Sequence, residues 1–433
     1  MQWGVVVVYA VLLVVPATLP LPERSAHLWD DLTLFAQFVF WGLWWPFVLL
    51  SVVLLGRTWC GLLCPEGALS EFASRHGRGR AVPRWIRWGG WPFVAFAATT
   101  VYGQMVSVYQ YPAPALLVLG GSTAAAIVVG YLYGRGKRVW CRYLCPVSGV
   151  FALLAKLAPL HYRVDEAAWR EATRAGGSFR PLNCAPMVPI ATMKGAADCH
   201  MCGRCSGFRE AVVLSPRRPG REIVDPGNRP FRPWDTALIL YGLLGIALGA
   251  FHWSASPTLV RVKQAVAGWL VDRGAPWPLE LSAPWWLLTS YPERNDVLSL
   301  ADGGLLVGYI LGVAVLMGTA LSAGLALAAA ASGWSRQRFH HLAQALVPLA
   351  GCGVFLGLSA LTVTMLRAEG VALPGLAAIR ASLLLGAWAW SLALAWRILG
   401  EGGVRGLRRG AAASVFGATA AMAGTAWAAL FWP

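Results

Sequence analysis

Two short stretches decide the fold: "RTWCGLLCPEGAL" at Arg57–Leu69 and "RVWCRYLCPVSGV" at Arg138–Val150. Both read Arg-x-Trp-Cys-x-x-Leu-Cys-Pro, and both follow a long uncharged apolar run. The first cysteines, Cys60 and Cys141, are 81 residues apart. The chain therefore contains an internal repeat in which each half is a helical hairpin ending in a cysteine pair.

The apolar runs predict a polytopic membrane protein. The chain of 433 residues is 57% hydrophobic and 13% charged, whereas a soluble domain carries about 25% charge. Runs of roughly 20 apolar residues can span a bilayer. Nine such runs lie near Trp3–Leu19, Leu32–Leu55, Trp88–Tyr111, Pro114–Tyr133, Trp234–Trp253, Gly303–Leu327, Leu342–Leu366, Ala381–Leu399 and Ala411–Phe431.

The first run could instead be a secretory signal peptide cleaved near Pro16–Leu21. It lacks a basic n-region, however, and it is longer than the apolar part of a usual signal peptide. We expect a retained first span.

The basic residues predict the orientation. With a cytoplasmic N-terminus, the cytoplasmic loops and the helix-end Arg397 hold 29 of the 36 Lys and Arg residues. This satisfies the positive-inside rule for a bacterial inner membrane, with the C-terminus periplasmic. The net charge of +16 is thus a topology signal, and no basic domain outside these loops indicates nucleic-acid binding.

The pattern divides the chain into three parts. Residues 1–160 form the duplicated four-helix membrane domain, and residues 161–233 form a small irregular cytoplasmic segment. Residues 234–433 form a C-terminal membrane domain of about five helices. The predicted fold class is an all-α polytopic membrane protein with a ferredoxin-like cytoplasmic insert.

The cytoplasmic segment contains a cysteine triplet, "DCHMCGRCSGFRE". Cys199-x2-Cys202-x2-Cys205 matches the first three positions of the bacterial ferredoxin run, in which each thiolate binds one corner of a [4Fe–4S] cluster. Arg209 stands where the run would place its fourth cysteine. Cys184 is the candidate fourth ligand. Four cysteines are also a structural zinc set, although zinc more often uses two C-x2–4-C pairs.

The paired motifs supply four more thiolates. Since cytoplasmic thiols stay reduced, clustered cysteines there indicate metal or redox chemistry. Parallel repeats are related by an axis along the membrane normal, so we expect the two motifs to face one another and hold a second [4Fe–4S] cluster. Its ligands would be Cys60, Cys64, Cys141 and Cys145.

Residues beside the motifs have two interpretations. Arg57 and Arg138 could offset the negative charge of a thiolate-ligated cluster, or they could be ordinary positive-inside anchors. Trp59 and Trp140 are interpreted as membrane-interface residues. Cys352, alone in an apolar run, is interpreted as a small buried hydrophobe without a role.

On these residues the chain resembles the membrane-bound polyferredoxins typified by NapH, NosR and CcoG, over about residues 30–225. The resemblance implies [4Fe–4S] clusters and electron transfer between a cytoplasmic or quinone pool and a periplasmic redox partner. Usual members carry two complete ferredoxin runs, whereas this chain has one incomplete run. "MKGAADCHMCGRCSGFR" is more similar to the FtrD-type subgroup. That subgroup implies a cupredoxin-like partner and an iron permease in ferrous-iron uptake.

These features favour an electron-transfer component of a larger system over a stand-alone enzyme. An alternative is a membrane metal-ion permease or sensor, or a scaffold whose cysteines bind structural zinc. Permeases place ionisable residues inside their spans. Here the span interiors carry almost none, which counts against a pore.

Overall fold

The computed structural model describes residues 2–175, 182–225, 227 and 231–432, and it is mostly helical, at 68%. Within this part of the chain, six helices are long and apolar enough to cross a membrane. They cover Leu32–Leu55, Pro112–Tyr133, Pro233–Ala255, Leu300–Ala331, Arg336–Ala368 and Leu376–Glu401. These helices suggest a membrane protein.

The other three predicted spans are helical but are shorter or less apolar. Gln2–Thr18 has 17 residues, Trp91–Met105 has 15, and Gly406–Ala428 has 23. The third span was predicted to run to Tyr111, but its helix ends at Met105, and Ser107 adopts a left-handed backbone with φ 51°. The count of nine spans stays a prediction.

Several membrane helices contain π-helical turns, in which each backbone N–H bonds the fifth carbonyl before it. They cover Phe38–Trp44, Leu116–Gly120 and Leu238–Ile246, and a further one, Trp59–Leu63, holds the first cysteine of a motif. Such turns occur often at functional sites because they displace side chains from regular helical spacing.

The main core lies where the membrane helices meet. Ile239 and Leu243 of Pro233–Ala255, Leu321 of Leu300–Ala331 and Leu349 of Arg336–Ala368 are fully buried. The C-terminal helix adds Trp427, which is also fully buried. Cys60 and Val150 belong to the same cluster, so the C-terminal helices pack against the cysteine-bearing part of the chain through one continuous apolar core.

The segment after the second motif contains more regular structure than predicted. Strand Leu160–Val164 pairs antiparallel with strand Val212–Pro216, with Tyr162 opposite Leu214. Helix Glu166–Arg174 follows the first strand, and the Asp165 side chain caps it by accepting from the N–H groups of Ala167 and Ala168. The strand pair thus brackets the loop that carries the cysteine triplet.

Shorter elements complete the chain. The loop between the fifth and sixth predicted spans contains helix Pro257–Asp272, which the sequence analysis missed, and helix Trp277–Glu280. It also contains a small antiparallel pair, Ser290–Tyr291 with Asp296–Val297. Other short helices are Pro65–Arg75, Val139–Tyr143, Ser148–Ala155 and Arg221–Val224.

Candidate iron–sulfur sites

The first motif turns the chain tightly between two helices. The backbone N–H of Cys64 donates to the carbonyl of Trp59 at 2.9 Å, which closes a π-helical turn around Cys60. Cys64 then caps helix Pro65–Arg75, its Sγ accepting from the N–H of Gly67 at 3.4 Å. Proline suits the first helical position because its missing N–H would be unpaired there anyway.

The second motif repeats this backbone bond. The N–H of Cys145 donates to the carbonyl of Trp140 at 3.0 Å, the counterpart of the bond between Cys64 and Trp59. Cys141 lies in helix Val139–Tyr143, and helix Ser148–Ala155 follows. Two stretches of matching sequence therefore fold with matching hydrogen bonds.

The arginine of each motif reaches toward the other motif. Arg138 Nη1 donates to the carbonyl of Cys60 at 2.5 Å. Arg57 Nη2 donates to Ser148 Oγ at 2.9 Å, and that hydroxyl donates to the carbonyl of Cys141 at 2.7 Å. Each guanidinium thus braces the first cysteine of the opposite motif, directly in one case and through a hydroxyl in the other.

Gly67 explains this difference between the two arginines. It stands 81 residues before Ser148 and therefore occupies the corresponding position in the first motif. A Cβ at Gly67 would lie 3.1 Å from Arg138 Nη1. The glycine leaves room for Arg138 to reach the carbonyl of Cys60 without an intervening hydroxyl.

Both arginines are buried, with 3% and 1% of Arg57 and Arg138 exposed. This burial separates the two interpretations of the sequence, because a membrane-surface anchor would place its guanidinium in water. Trp59 is also buried: it is 8% exposed and packs edge-on against Trp44, with ring centroids 5.1 Å apart. Its place at the membrane interface stays a prediction.

The four thiols of the two motifs lie within electrostatic reach of one another. Burial raises the pKa of Cys145, and the neighbouring Glu66, Cys141, Cys64 and Cys60 raise it further. Burial also raises the pKa of Cys141 to about 12, with Cys60 among its neighbours. No cysteine of the later triplet is among these influences.

The surroundings of these thiols suit an anionic group. Arg57 Nε and Arg138 Nη2 are buried and have no hydrogen-bond partner, although the other nitrogens of both side chains are bonded. Buried cations are normally paired, and four thiolates around a [4Fe–4S] cluster carry net negative charge. The donor set and the two unpaired N–H groups therefore fit such a cluster.

The second set contains Cys184, Cys199, Cys202 and Cys205. Burial raises the pKa of Cys199 to about 12, and Cys205, Cys202 and Cys184 raise it as well. Cys184, Cys199 and Cys205 pack in one small apolar cluster with Tyr162 and Met201. The structure thus brings Cys184 beside the triplet, and its role as fourth ligand stays a prediction.

The triplet loop lies directly against the first motif. A Cβ added at Gly61 would sit 2.0 Å from the carbonyl oxygen of His200 and 3.0 Å from the Cα of Cys202. Only glycine permits this approach of two backbones. A cysteine-bearing turn from each set therefore meets at one contact.

Ion pairs hold the same loop at both of its ends, at Asp198 and at Arg204. Arg142 of the second motif pairs with Asp198 at 2.8 Å. Arg204 pairs with Glu71 at 2.8 Å, and the same carboxylate pairs with Arg138 at 2.8 Å. Burial alone would raise the pKa of Glu71, but Arg138 and Arg204 outweigh burial and lower it.

Three of these residues, Glu71, Glu66 and His200, were not predicted from the sequence. Glu66 accepts from Trp140 Nε1 at 3.2 Å, so Trp140 has a polar partner beside the thiols. His200 is 2% exposed, and burial, with Arg57, Arg138 and Arg142 nearby, holds its pKa well below the usual range. His200 and Glu66 lie within two residues of a cysteine in the sequence, and this could have indicated them. No local pattern indicates Glu71.

All nine cysteines are free thiols. Among the residues that the structure describes, no three His, Cys, Asp or Glu side chains form a group that could hold one metal ion. In a cubane cluster each thiolate binds a different iron atom, so its ligands lie farther apart than those of a single ion. The assignment of four ligands to each cluster stays a prediction.

Two comparisons with known proteins bear on the cysteine motifs. The family described as "4Fe-4S binding domain" matches this chain twice, at residues 37–83 and 116–164. Each match contains one of the two Cys-x3-Cys-Pro motifs. The chain is also 23% identical over 184 residues to the electron transport protein YccM of Escherichia coli (strain K12). That alignment covers 37% of this chain and about half the length of the relative. No solved structure matches.

Together the matches support an iron–sulfur electron-transfer family. The family match covers the paired motifs and ends before the triplet begins. The number of clusters rests on the residues and contacts described above.

Proposed function

We propose that this chain is an inner-membrane electron-transfer subunit that holds two [4Fe–4S] clusters. One cluster would be bound by Cys60, Cys64, Cys141 and Cys145, and the other by Cys184, Cys199, Cys202 and Cys205. Electrons would pass between a cytoplasmic or quinone pool and a periplasmic redox partner. The proposal rests on the matched family, the relative and the arrangement of the eight thiols.

The observation that carries the proposal is the contact between the two cysteine sets. The backbone of His200–Cys202 lies on Gly61, inside the first Cys-x3-Cys pair. Structural zinc sites need no such proximity, whereas an electron relay depends on short separations between its redox centres. The tight contact supports a relay within one chain.

A bound [4Fe–4S] cluster supplies one-electron oxidation and reduction. The cysteines of the protein would hold the cluster, and the neighbouring arginines set the charge around it. Arg57 and Arg138 place two buried positive charges beside the paired motifs, which favours the more negative, reduced state of a cluster. His200 is buried where the two sets meet, so its side chain helps exclude water from that contact.

The proposed biological role is based on the resemblance to the FtrD-type subgroup. We propose that the periplasmic partner is a cupredoxin-like protein that works with an iron permease in ferrous-iron uptake. In this role the partner gains one electron for each ferrous ion oxidised, and the chain carries that electron inward. The N-terminus and the triplet loop would lie in the cytoplasm and the C-terminus in the periplasm.

Metal analysis of the full chain, purified without oxygen, tests the proposal. We expect about eight iron and eight acid-labile sulfide per chain, which is the content of two [4Fe–4S] clusters. Stoichiometric zinc without iron and sulfide would instead establish the zinc scaffold.

Serine variants test the ligand sets. Cys64→Ser and Cys145→Ser should each remove the same electron paramagnetic resonance signal and leave a second signal intact. Cys202→Ser should remove that second signal, and Cys352→Ser is the matched control that should change neither. Loss of different signals in Cys64→Ser and Cys145→Ser would refute a shared site.

A further inference from the structure

A large open cavity lies beside the triplet loop. Its volume is about 1240 Å³, and its walls come from both strands of the Leu160–Val164 pair and from the loop before Cys199. The starts of helices Pro233–Ala255 and Arg336–Ala368 complete it through Asp235 and Gln344. Small-molecule sites usually measure about 300–1,000 Å³, so this cavity, called here the basic cavity, has room for a nucleotide.

The charge of the basic cavity is unbalanced. Eight Lys and Arg side chains and five Asp and Glu side chains line it. Each of the five carboxylates pairs with a lining cation, as in Arg217–Glu222 at 2.7 Å and Lys156–Asp235 at 3.4 Å. Within the described residues, Arg163, Arg218 and Arg232 have no ion pair and remain available to a ligand.

A buried amide gives an independent sign of a ligand. Gln344 is 1% exposed, and its Oε1 accepts from Lys156 Nζ at 2.7 Å. An ammonium group only donates, so the Lys156 contact fixes the orientation of the amide. Gln344 Nε2 is buried without a hydrogen-bond partner. Unsatisfied buried donors are rare, and the residue that carries this one is part of the cavity lining.

The cavity is also joined to the proposed redox sites. Ala197 and Asp198 line it and lead directly into Cys199. The carbonyl of Ala197 accepts from Arg57 Nη1 at 3.0 Å, which links the same wall to the first motif. A molecule in the cavity would therefore lie against the backbone that connects both cysteine sets.

We propose that the basic cavity binds a flavin nucleotide, which exchanges electrons with the triplet site. Arginine guanidiniums match the oxygens of phosphate, and Phe231, Val164 and Met193 supply apolar surface for a ring system. A cluster carries one electron at a time. An oxidised flavin can take up two electrons one after the other, with two protons from water, so each of two one-electron transfers from the cluster delivers one electron to it.

This assignment of the cytoplasmic acceptor rests on the proposed function, but the binding itself does not require clusters. Flavin mononucleotide should therefore be titrated into the full chain in detergent and followed by quenching of flavin fluorescence. We expect saturable binding of one molecule per chain, with riboflavin, which lacks the phosphate, binding at least tenfold more weakly. Absence of flavin mononucleotide binding up to millimolar concentration would overturn the proposal.

Variants locate the site. The triple variant Arg163→Ala, Arg218→Ala, Arg232→Ala should weaken flavin mononucleotide binding at least tenfold. All three side chains are exposed, so the fold should be retained, and Arg84→Ala, an exposed arginine outside the lining, is the control. Equal affinity in the triple variant and the control would overturn the site.

Anionic lipid headgroups also carry phosphate, and competition with lipid vesicles tests whether they occupy the cavity instead of a flavin. Vesicles of phosphatidylglycerol should leave flavin binding unchanged. Full displacement of the flavin by these vesicles would instead assign the cavity to an anionic lipid headgroup. If iron and sulfide are absent while flavin still binds, the electron-transfer function fails and the flavin site stands.

Discussion

Replacing Gly61 by a larger residue should separate the two cysteine sets. A Cβ at this position would lie 2.0 Å from the His200 carbonyl oxygen, whereas ordinary van der Waals contact begins at 3.4 Å. The loop must therefore move by about 1.4 Å in Gly61→Ala, and farther in Gly61→Val. Overpacking of this kind typically costs about 1–3 kcal/mol.

Hydrogen–deuterium exchange over residues 198–206 measures this cost. If exchange follows local opening of the loop, a loss of about 1–3 kcal/mol corresponds to exchange about 5–150 times faster. In the same samples, electron paramagnetic resonance of the reduced protein should show weaker magnetic interaction between the two centres, since that interaction falls with distance. Both centres should still be present, because no thiol is removed.

Two controls isolate the effect of the Gly61 contact. Gly304→Ala adds a Cβ with nothing within 4 Å and should leave exchange of the loop unchanged. Arg142→Ala removes a partly exposed ion pair, which is worth about 0–1 kcal/mol, so its effect should be smaller than that of Gly61→Val. Wild-type exchange and wild-type magnetic interaction in Gly61→Val would refute the close contact.

Substitutions of Glu71 and of Arg57 test the buried charges, with Arg75 as the exposed control. Glu71→Gln leaves Arg138 buried without its counter-charge and should cost about 3–5 kcal/mol of unfolding free energy. Arg75→Ala removes the ion pair between Glu71 and an arginine whose side chain is 62% exposed, and it should cost about 1 kcal/mol or less. Denaturant titration measures the unfolding free energy of both variants. Equal losses of unfolding free energy would contradict the role of burial. Because its arginine partners lower the pKa of Glu71, its contribution is complete above the ordinary glutamate pKa of about 4.3 and is lost as pH falls through the lowered value. The same titration of wild type and Glu71→Gln in steps from pH 6 to pH 3 should show their difference shrinking in that interval. Arg57→Gln should make the paired-motif cluster harder to reduce. A hydrogen bond to a charged group is worth about 1.5–3 kcal/mol, or about 60–130 mV for one electron. A redox titration followed by electron paramagnetic resonance should show the reduction potential of this cluster falling by that amount. An unchanged potential would place the guanidinium away from the cluster.

Spacing and periodicity were sufficient to predict much of the molecule. The cysteine patterns identified the eight candidate ligands, and the apolar runs located six helices that the structure confirms as candidate spans. These features could be predicted because they depend on neighbours in the sequence.

Contacts between distant segments could not be predicted in the same way. Nothing local to Gly61 indicates that the backbone of His200 lies on it, and nothing local to Arg57 separates a buried guanidinium from a membrane-surface one. The basic residues of the triplet segment are a further example, because the sequence alone does not show which of them are buried in ion pairs. In the sequence Arg217 is one of many cytoplasmic basic residues, whereas in the structure its side chain is only 6% exposed and pairs with Glu222.

The position between the two cysteines of each motif has a further consequence. Gly61 and Arg142 occupy corresponding places, and both contact the Asp198–Cys202 loop, one through bare backbone and the other through an ion pair. The two motifs therefore hold one loop in different ways: the motif with a glycine allows contact between two backbones, and the motif with an arginine reaches the loop through an ion pair. Exchanging the two residues, as Gly61→Arg with Arg142→Gly, would remove both contacts, because a side chain at the first position collides with the His200 carbonyl and a glycine at the second cannot pair with Asp198.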